Sequence, residues 1–486
     1  MDGNNLEKKY GLTTATALVV GIVIGSGVFF KAEKILSLSG GSITTGILAW
    51  VLGGIIMLCC GYVFAQLAAR YEKSGGFVDY AEAACGKNYG YAAGFFMAGV
   101  YYPTLTAILS WLAAKYTSLL CGFDNPSFGG ETMAISVFYL ILSFAVNNLA
   151  PKIAGKFQIA ATVAKLLPLV FIGIAGIIVG LLNGTAVSNF TYHAAEQQNG
   201  SLLRCVVATS FAYDGWIVAA SINSEIKDSK KTLPKALLLG MSTIILIYIL
   251  YFLGMSTAVG VEDMLYMGDD GVKHVFSSIF GRLGGSLLFV FVIISCLGTL
   301  NGLTMGCTRG FYSLAVRGEG LRPKVISSVD SGSNMPLNSG VLGLLCSALW
   351  LLVWSGNFAG WWGGVFLDIS ELTIVILYTS YIPIFIWIML KWKGEGAFKR
   401  FIMPSLAIAS TCFMAFSAIL AHKFTFIYYL VIIAVIMTFG LLLNRSGSSN
   451  GRVCKEKKNS RLFYIAIFII KFSGLIIISD IWFEIS

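Results

Sequence analysis

The chain has 486 residues, 57% of them hydrophobic and only 12% charged, about half the charge share of a soluble domain. Apolar runs long enough to cross a hydrocarbon layer recur along it, which points to a polytopic α-helical membrane protein and excludes a soluble catalytic domain. The net charge of +10 would suit nucleic acid if it formed one patch, but with the N-terminus taken as cytoplasmic, 25 Lys and Arg fall in inner segments, six in outer segments and three within spans; this is the positive-inside asymmetry of a multi-pass protein in the plasma membrane, its basic loops against anionic headgroups, and it gives nucleic acid no support.

After a cytoplasmic N-terminus (1–10), the hydropathy pattern predicts spans near 12–36, 43–69, 91–120, 133–149, 157–182, 201–222, 236–260, 285–312, 338–354, 365–390, 402–421 and 425–443. The first run is too long, and too poor in cleavage-site residues, for a signal peptide, so it is expected to stay in the mature chain. Its middle reads "GIVIGSGVFF" (21–30), and Gly21, Gly25, Ser26 and Gly27 make a poor recipe for an unbroken helix. Small residues also let membrane helices pack closely, so this stretch alone leaves packing and a break both open. A phosphate-binding Gly loop is a poor fit, because no strand precedes the stretch and no Lys-Ser or Lys-Thr pair follows it.

In the third span, Tyr101 and Tyr102 precede Pro103, which should kink or strain its helix. Lys165, in "TVAKLLPLV" (162–170), sits too deep in the fifth span to reach the headgroups easily. Taken alone, it either snorkels or caps a loose backbone carbonyl. The sixth span carries "TSFAYDGW" (209–216), with Asp214 and Gly215 at its centre. An acidic residue near the bilayer midplane is a functional-site candidate, and helix packing does not explain it. Gly25 and Asp214 lie at similar depth, roughly 20 Å from an entry face at 1.5 Å per residue.

Two interrupted spans at matching depth, five spans apart, suggest an inverted-repeat transporter. A broken helix offers free N–H groups where its second half begins and free C=O groups where its first half ends. The first end suits a carboxylate and the second an ammonium, so the pair suits a zwitterionic α-amino acid.

Further along, "GDDGVKHVFSSIFGRLGG" (268–285) is an outer loop with helical character. Asp368 and Glu371 share a helix face at the outer part of the tenth span; they read as a solvated rim, with proton coupling through Glu371 as the rival. Residues 444–461 form a basic cytoplasmic linker, and 462–486 hold a thirteenth span or an interfacial helix. The ten Cys read mostly as buried small hydrophobes, and neither they nor His193, His274 and His422 show metal-ligand spacing, so no metal or cofactor is expected. No His-Asp, His-Glu or Ser/His/Asp arrangement marks the spans, so the chain does not read as an enzyme.

"GIVIGSGVFF", "SFAYDGW" and "SEIKDSKKTLPKAL" (224–237), together with "KSGGFVDYAEAACG" (73–86) and "NGLTMGCTRGFYSLAVRGEGLRP" (301–323), resemble the amino acid–polyamine–organocation superfamily. The resemblance covers most of residues 11–445 and is to the L-type amino acid transporter branch, including bacterial serine/threonine-type exchangers. It implies an all-α, leucine-transporter-type fold: a five-helix repeat (11–182), a second, inverted one (201–390) and two additional helices (401–443). It implies that the N–H groups of Gly25, Ser26 and Gly27, with the serine hydroxyl, take the substrate carboxylate. The main-chain carbonyls of Val23, Phe211 and Asp214 would take the ammonium. Phe211 would close over the substrate, with Trp216 at the end of the same gating motif. The Asp214 side chain would either add charge near the ammonium or tie the broken helix together; several members have glycine there, so the resemblance alone does not require the carboxylate. Lys165 matches a lysine whose ammonium stands where sodium sits in sodium-coupled relatives, and the 268–285 loop matches an external gate. Heteromeric animal members bind a glycoprotein through a cysteine near the position of Cys121; the short N-terminus looks bacterial, so no heavy-chain partner is expected. The expected function is a sodium-independent exchanger of small or neutral L-amino acids working by alternating access. The alternatives are a proton-coupled carrier of cationic amino acids or polyamines, and an amino acid sensor on the same fold.

Overall fold

The computed structural model describes residues 10–25, 27–71, 76–192, 201–219, 226–267, 271–281, 284–422 and 424–448. Ser26, much of the linker and the whole 462–486 segment lie outside these residues, and the side chain of Phe211 is likewise not described. One compact unit ends at Asn444; residues 445–448, which finish the last helix, belong to a second unit that otherwise lies outside the described residues.

Among the described residues the regular structure is helical, joined by turns and loops, apart from one isolated bridge between Tyr10 and Ile226. The first apolar run is two helices, α1 (Leu12–Val23) and α2 (Gly27–Leu38), followed by α3 (Ile43–Arg70). Two short helices, α4 (Phe77–Cys85) and α5 (Lys87–Phe96), lead through a π-turn at Met97–Tyr101 into α6 (Tyr102–Cys121). Next come α7 (Gly130–Leu149), α8 (Pro151–Leu182), the short α9 (Thr185–Phe190) and α10 (Leu202–Tyr213). Then follow α11 (Ser229–Ala258), α12 (Val261–Met267), α13 (Gly271–Phe280) and α14 (Gly284–Ala315). The chain continues with α15 (Pro323–Ile326), α16 (Leu337–Ser355), α17 (Ile369–Thr379), α18 (Ile382–Lys391), α19 (Met403–His422) and α20 (Phe424–Ser448). Among the described residues, ten helical stretches are long and apolar enough to cross a membrane. With the interrupted first and sixth runs, they lie where hydropathy predicts the spans. We call the Lys/Arg-rich side that carries Tyr10 the basic face, and the other the opposite face.

Local chemistry sets several boundaries. Ser42 caps α3 by accepting from the Thr45 amide at 3.3 Å, and Ser201 caps α10 by accepting from the Arg204 amide at 3.4 Å. Pro103 has no amide proton for the Gly99 carbonyl one turn back, and the π-turn absorbs the mismatch; Trp350 Nε1 donates to that carbonyl at 2.9 Å instead. Pro383 likewise divides the tenth span into α17 and α18. There the Ile384 amide turns to Tyr381 O, and the Tyr89 hydroxyl donates to the Ser380 carbonyl.

Close packing fixes the rest. A Cβ added to Gly176 of α8 would stand 2.2 Å from Gly254 O of α11, so these helices meet backbone to backbone as only glycine permits. A buried amide chain ties three other spans: Asn147 of α7 donates to Asn301 of α14 at 2.9 Å, and Asn301 donates to Gln158 of α8 at 2.8 Å. On the basic face the Lys227 amide donates to Tyr10 O, joining the lead-ins of α1 and α11.

Candidate functional site

The first helix stops at Val23, and Ile24 is extended (φ −72°, ψ 95°) before helix resumes at Gly27. The sixth span stops at Tyr213; Asp214 is extended, Gly215 takes φ +104°, and a 3₁₀ turn covers 216–219. Both interruptions fall where the sequence places its weak points. Gly215 is in the left-handed region, and a side chain there would also press on Ile22 Cγ2 at 3.1 Å.

The two breaks line one cavity. Ile22, Val23, Gly25 and Gly27 border it from the first span, and Asp214 and Gly215 from the sixth. Leu105 and Leu109 of α6, and Leu303 and Thr299 of α14, complete the wall. Backbone and one carboxylate therefore meet at one end of a mainly aliphatic surface. Of the sequence-derived residues, the structure brings Val23, Gly25, Gly27 and Asp214 together here.

Lys165 of α8 is fully buried, and its ammonium reaches the first break. Nζ donates to Gly21 O and to Ile24 O at 2.5 Å each, and to Thr299 Oγ1 at 3.1 Å. The lysine thus supplies donors to carbonyls that the missing helical turn leaves without their usual amides. Sequence depth flagged Lys165, but its two readings, snorkelling or capping, separate only here: it caps.

Tyr248 carried no signal in the sequence, whereas Tyr101 and Tyr102 were singled out there without showing which of them faces the site. Tyr248 of α11 stands with its hydroxyl 2.9 Å from Ala212 O and 3.3 Å from Val23 O, bridging the two broken helices. The Val23 carbonyl, expected to serve the substrate, therefore already has a donor beside it. Tyr101 donates to Asp214 Oδ2 at 2.6 Å, so one carboxylate oxygen is fastened to the π-turn of the third span. Tyr102 instead packs on α14, where a Cβ on Gly306 would come 2.8 Å from its ring. A tyrosine in an apolar helix is unexceptional by pattern, and only the fold gives these three their neighbours.

Trp216 lies on the basic-face side of the second break, fully buried, with Nε1 donating to Tyr378 Oη at 2.8 Å. Phe64 packs against it with centroids 5.5 Å apart and against Tyr381 at 4.6 Å, which closes that side with aromatic rings. On the opposite face Lys31 of α2 pairs with Glu371 of α17 at 2.5 Å. The solvated-rim reading of Asp368 and Glu371 is thereby corrected. Glu371 is only 4% exposed, and Asp368 caps α17 by accepting from the Ser370 and Glu371 amides. The reason is tertiary, since the partner cation lies 340 positions away. Among the described residues no group of His, Cys, Asp or Glu could hold a metal ion.

Among the described residues, ten apolar helical stretches with two further runs interrupted at a shared cavity, one break clasped by a buried lysine, define a broken-helix membrane transporter. Residues 10–442 match the amino acid permease family, and the chain belongs to it. It is similar to the serine/threonine exchanger SteT of Bacillus subtilis (strain 168), 27% identical over 426 residues, covering 86% of this chain and 93% of that protein. It is also similar to the large neutral amino acids transporter small subunit 2 of Mus musculus, 26% identical over 384 residues, covering 77% and 71%. The Asc-type amino acid transporter 1 of Mus musculus is 27% identical over 323 residues, covering 64% and 59%. These relatives are transporters rather than enzymes.

Proposed function

We propose that the protein exchanges small or neutral L-amino acids across the plasma membrane, without sodium, by alternating access, with its N-terminus in the cytoplasm and no heavy-chain partner. The observation that carries this reading is the shared cavity between the two helix breaks. The amides that open α2 at Gly27, with Gly25 beside them, form a helix N-terminus suited to a carboxylate, and the family resemblance adds the amide and hydroxyl of Ser26. The helix end at Tyr213–Asp214 and the Phe211 carbonyl offer negative potential to an ammonium a few Å away. A zwitterion closes the gap between the two half-helices. An aliphatic wall of Leu105, Leu109 and Leu303 suits an uncharged side chain.

Lys165 supports the sodium-independent part of the reading. Its ammonium already neutralises the carbonyls of Gly21 and Ile24, the work a bound cation would otherwise do. The two halves of the molecule, 11–182 and 201–390, act as inverted five-helix repeats, with 401–443 as additional helices. Rocking of the broken helices alternately opens the Lys31–Glu371 side and the Trp216–Phe64–Tyr381 side, while Phe211 closes over the substrate. The relatives named as a serine/threonine exchanger and as large neutral amino acid transporters support the same substrate class.

The test is counter-flow in proteoliposomes preloaded with one amino acid, with radiolabelled leucine, serine, arginine and putrescine offered outside, with and without a proton gradient. Exchange of leucine or serine that ignores both sodium and the gradient is the expected result. Uptake of arginine or putrescine driven by the gradient would replace this reading with a proton-coupled cationic carrier, and binding without flux would replace it with a sensor.

A further inference from the structure

Acceptor accounting at the cavity exposes a gap. An α-ammonium brings three N–H donors and needs acceptors for them. The Gly21 and Ile24 carbonyls already accept from Lys165, and those of Val23 and Ala212 share the Tyr248 hydroxyl. Four main-chain carbonyls at the two breaks are thus already engaged by the protein itself, which leaves the ammonium fewer of them than the breaks alone would supply. One charged acceptor remains: Asp214 lines the cavity and is 6% exposed, and its Oδ1 is buried with no hydrogen-bond partner among the described residues. Its Oδ2 accepts from Tyr101, and the adjacent Gly215 amide also faces the carboxylate.

A buried carboxylate oxygen without a partner is costly, and such a group is retained where a ligand completes it. We propose that Asp214 Oδ1 accepts the substrate's α-ammonium, and that Tyr101 is the positioning residue that aims it. This rests on the amino-acid reading above and adds to it. The ammonium is recognised by a side-chain carboxylate, and not by main-chain carbonyls alone. The tether to Tyr101 matters because a carboxylate has two interchangeable oxygens: with Oδ2 fastened, the other is fixed in direction, and less order is lost when substrate binds. Selection follows from the same geometry. A molecule that keeps the carboxylate and aliphatic chain but lacks the protonated amine leaves Oδ1 unpaired and desolvated, so it is rejected.

The experiment uses the full chain in proteoliposomes preloaded with L-leucine. KM and maximal rate for external L-leucine are measured for wild type, Asp214→Asn and Tyr101→Phe, with 4-methylpentanoate and N-acetyl-L-leucine as competitors. Loss of a charge-assisted hydrogen bond predicts KM raised about 10- to 100-fold in Asp214→Asn, with the maximal rate largely kept. Tyr101→Phe should raise KM by a smaller factor, again with the rate kept, and neither amine-free competitor should inhibit wild type. Should Asp214→Asn not reach the membrane, Tyr101→Phe and the competitors decide. Unchanged KM in the variants that fold, or inhibition by 4-methylpentanoate as strong as by unlabelled leucine, would overturn the assignment while leaving an exchanger. A wild-type protein that exchanges no amino acid would overturn the transport reading and this assignment together.

Discussion

Removing the Lys165 ammonium is the most direct probe of the first break. In Lys165→Ala two buried carbonyls, Gly21 O and Ile24 O, lose a donor at 2.5 Å. An unsatisfied buried group costs about 1–3 kcal/mol, so the pair places roughly 2–6 kcal/mol on the geometry of the break. Thr299 Oγ1 stands 3.1 Å from Ile24 O and can keep one of the two satisfied, which moves the figure toward the lower end. At about 2 kcal/mol, kcat/KM for exchange should fall about 30-fold. Global stability should change less, because the substitution also removes a buried cation whose desolvation opposed folding. The assay is leucine counter-flow in sodium-free proteoliposomes, beside the thermal midpoint in detergent, for wild type, Lys165→Ala and the near-isosteric Lys165→Met. Both variants should unfold near the wild-type temperature and exchange poorly. Normal kinetics in Lys165→Ala would refute the idea that this ammonium holds the break open, and a wild-type rate that rises when sodium replaces choline would refute its role as a fixed cation.

Three further outcomes follow from the same geometry. Gly215→Ala forces a Cβ onto a residue at φ +104° and 3.1 Å from Ile22, so strain of about 1–3 kcal/mol should lower leucine affinity; an affinity equal to wild type would show that the second break tolerates another backbone. Glu371→Gln and Lys31→Met should each slow exchange about tenfold by disrupting a largely buried pair, and the charge swap of both residues should recover part of it; additive losses in the double variant would mean the pair is not coupled. Gly254→Val drives a side chain into Ile172 O, 2.5 Å from the added Cβ, and should lower the thermal midpoint by separating α8 from α11; an unchanged midpoint would contradict the backbone-to-backbone packing.

By itself the sequence determined whatever depends on neighbours along the chain. Hydropathy set the spans, because an apolar run of that length has few other places to go in water or in lipid. The interruptions after Val23 and after Tyr213 were legible because glycine, serine and an Asp-Gly pair weaken a helix from within. Asp214 and Lys165 stood out because charge at that depth is rare, whatever surrounds it. The tertiary structure decided what each of these residues touches. Lys165 finds Gly21 and Ile24 more than 140 positions away, Asp214 finds Tyr101 across 113, and Lys31 finds Glu371 across 340. Tyr248 and Thr299 were invisible for the same reason, since a hydroxyl in an apolar helix acquires its role only from the carbonyl that folding brings opposite it. Hydrogen bonds act over about 3 Å of space and carry no mark of separation along the chain. A pattern read in order can therefore show where the helices must fail, while the assembled fold alone sets which groups meet at the gap.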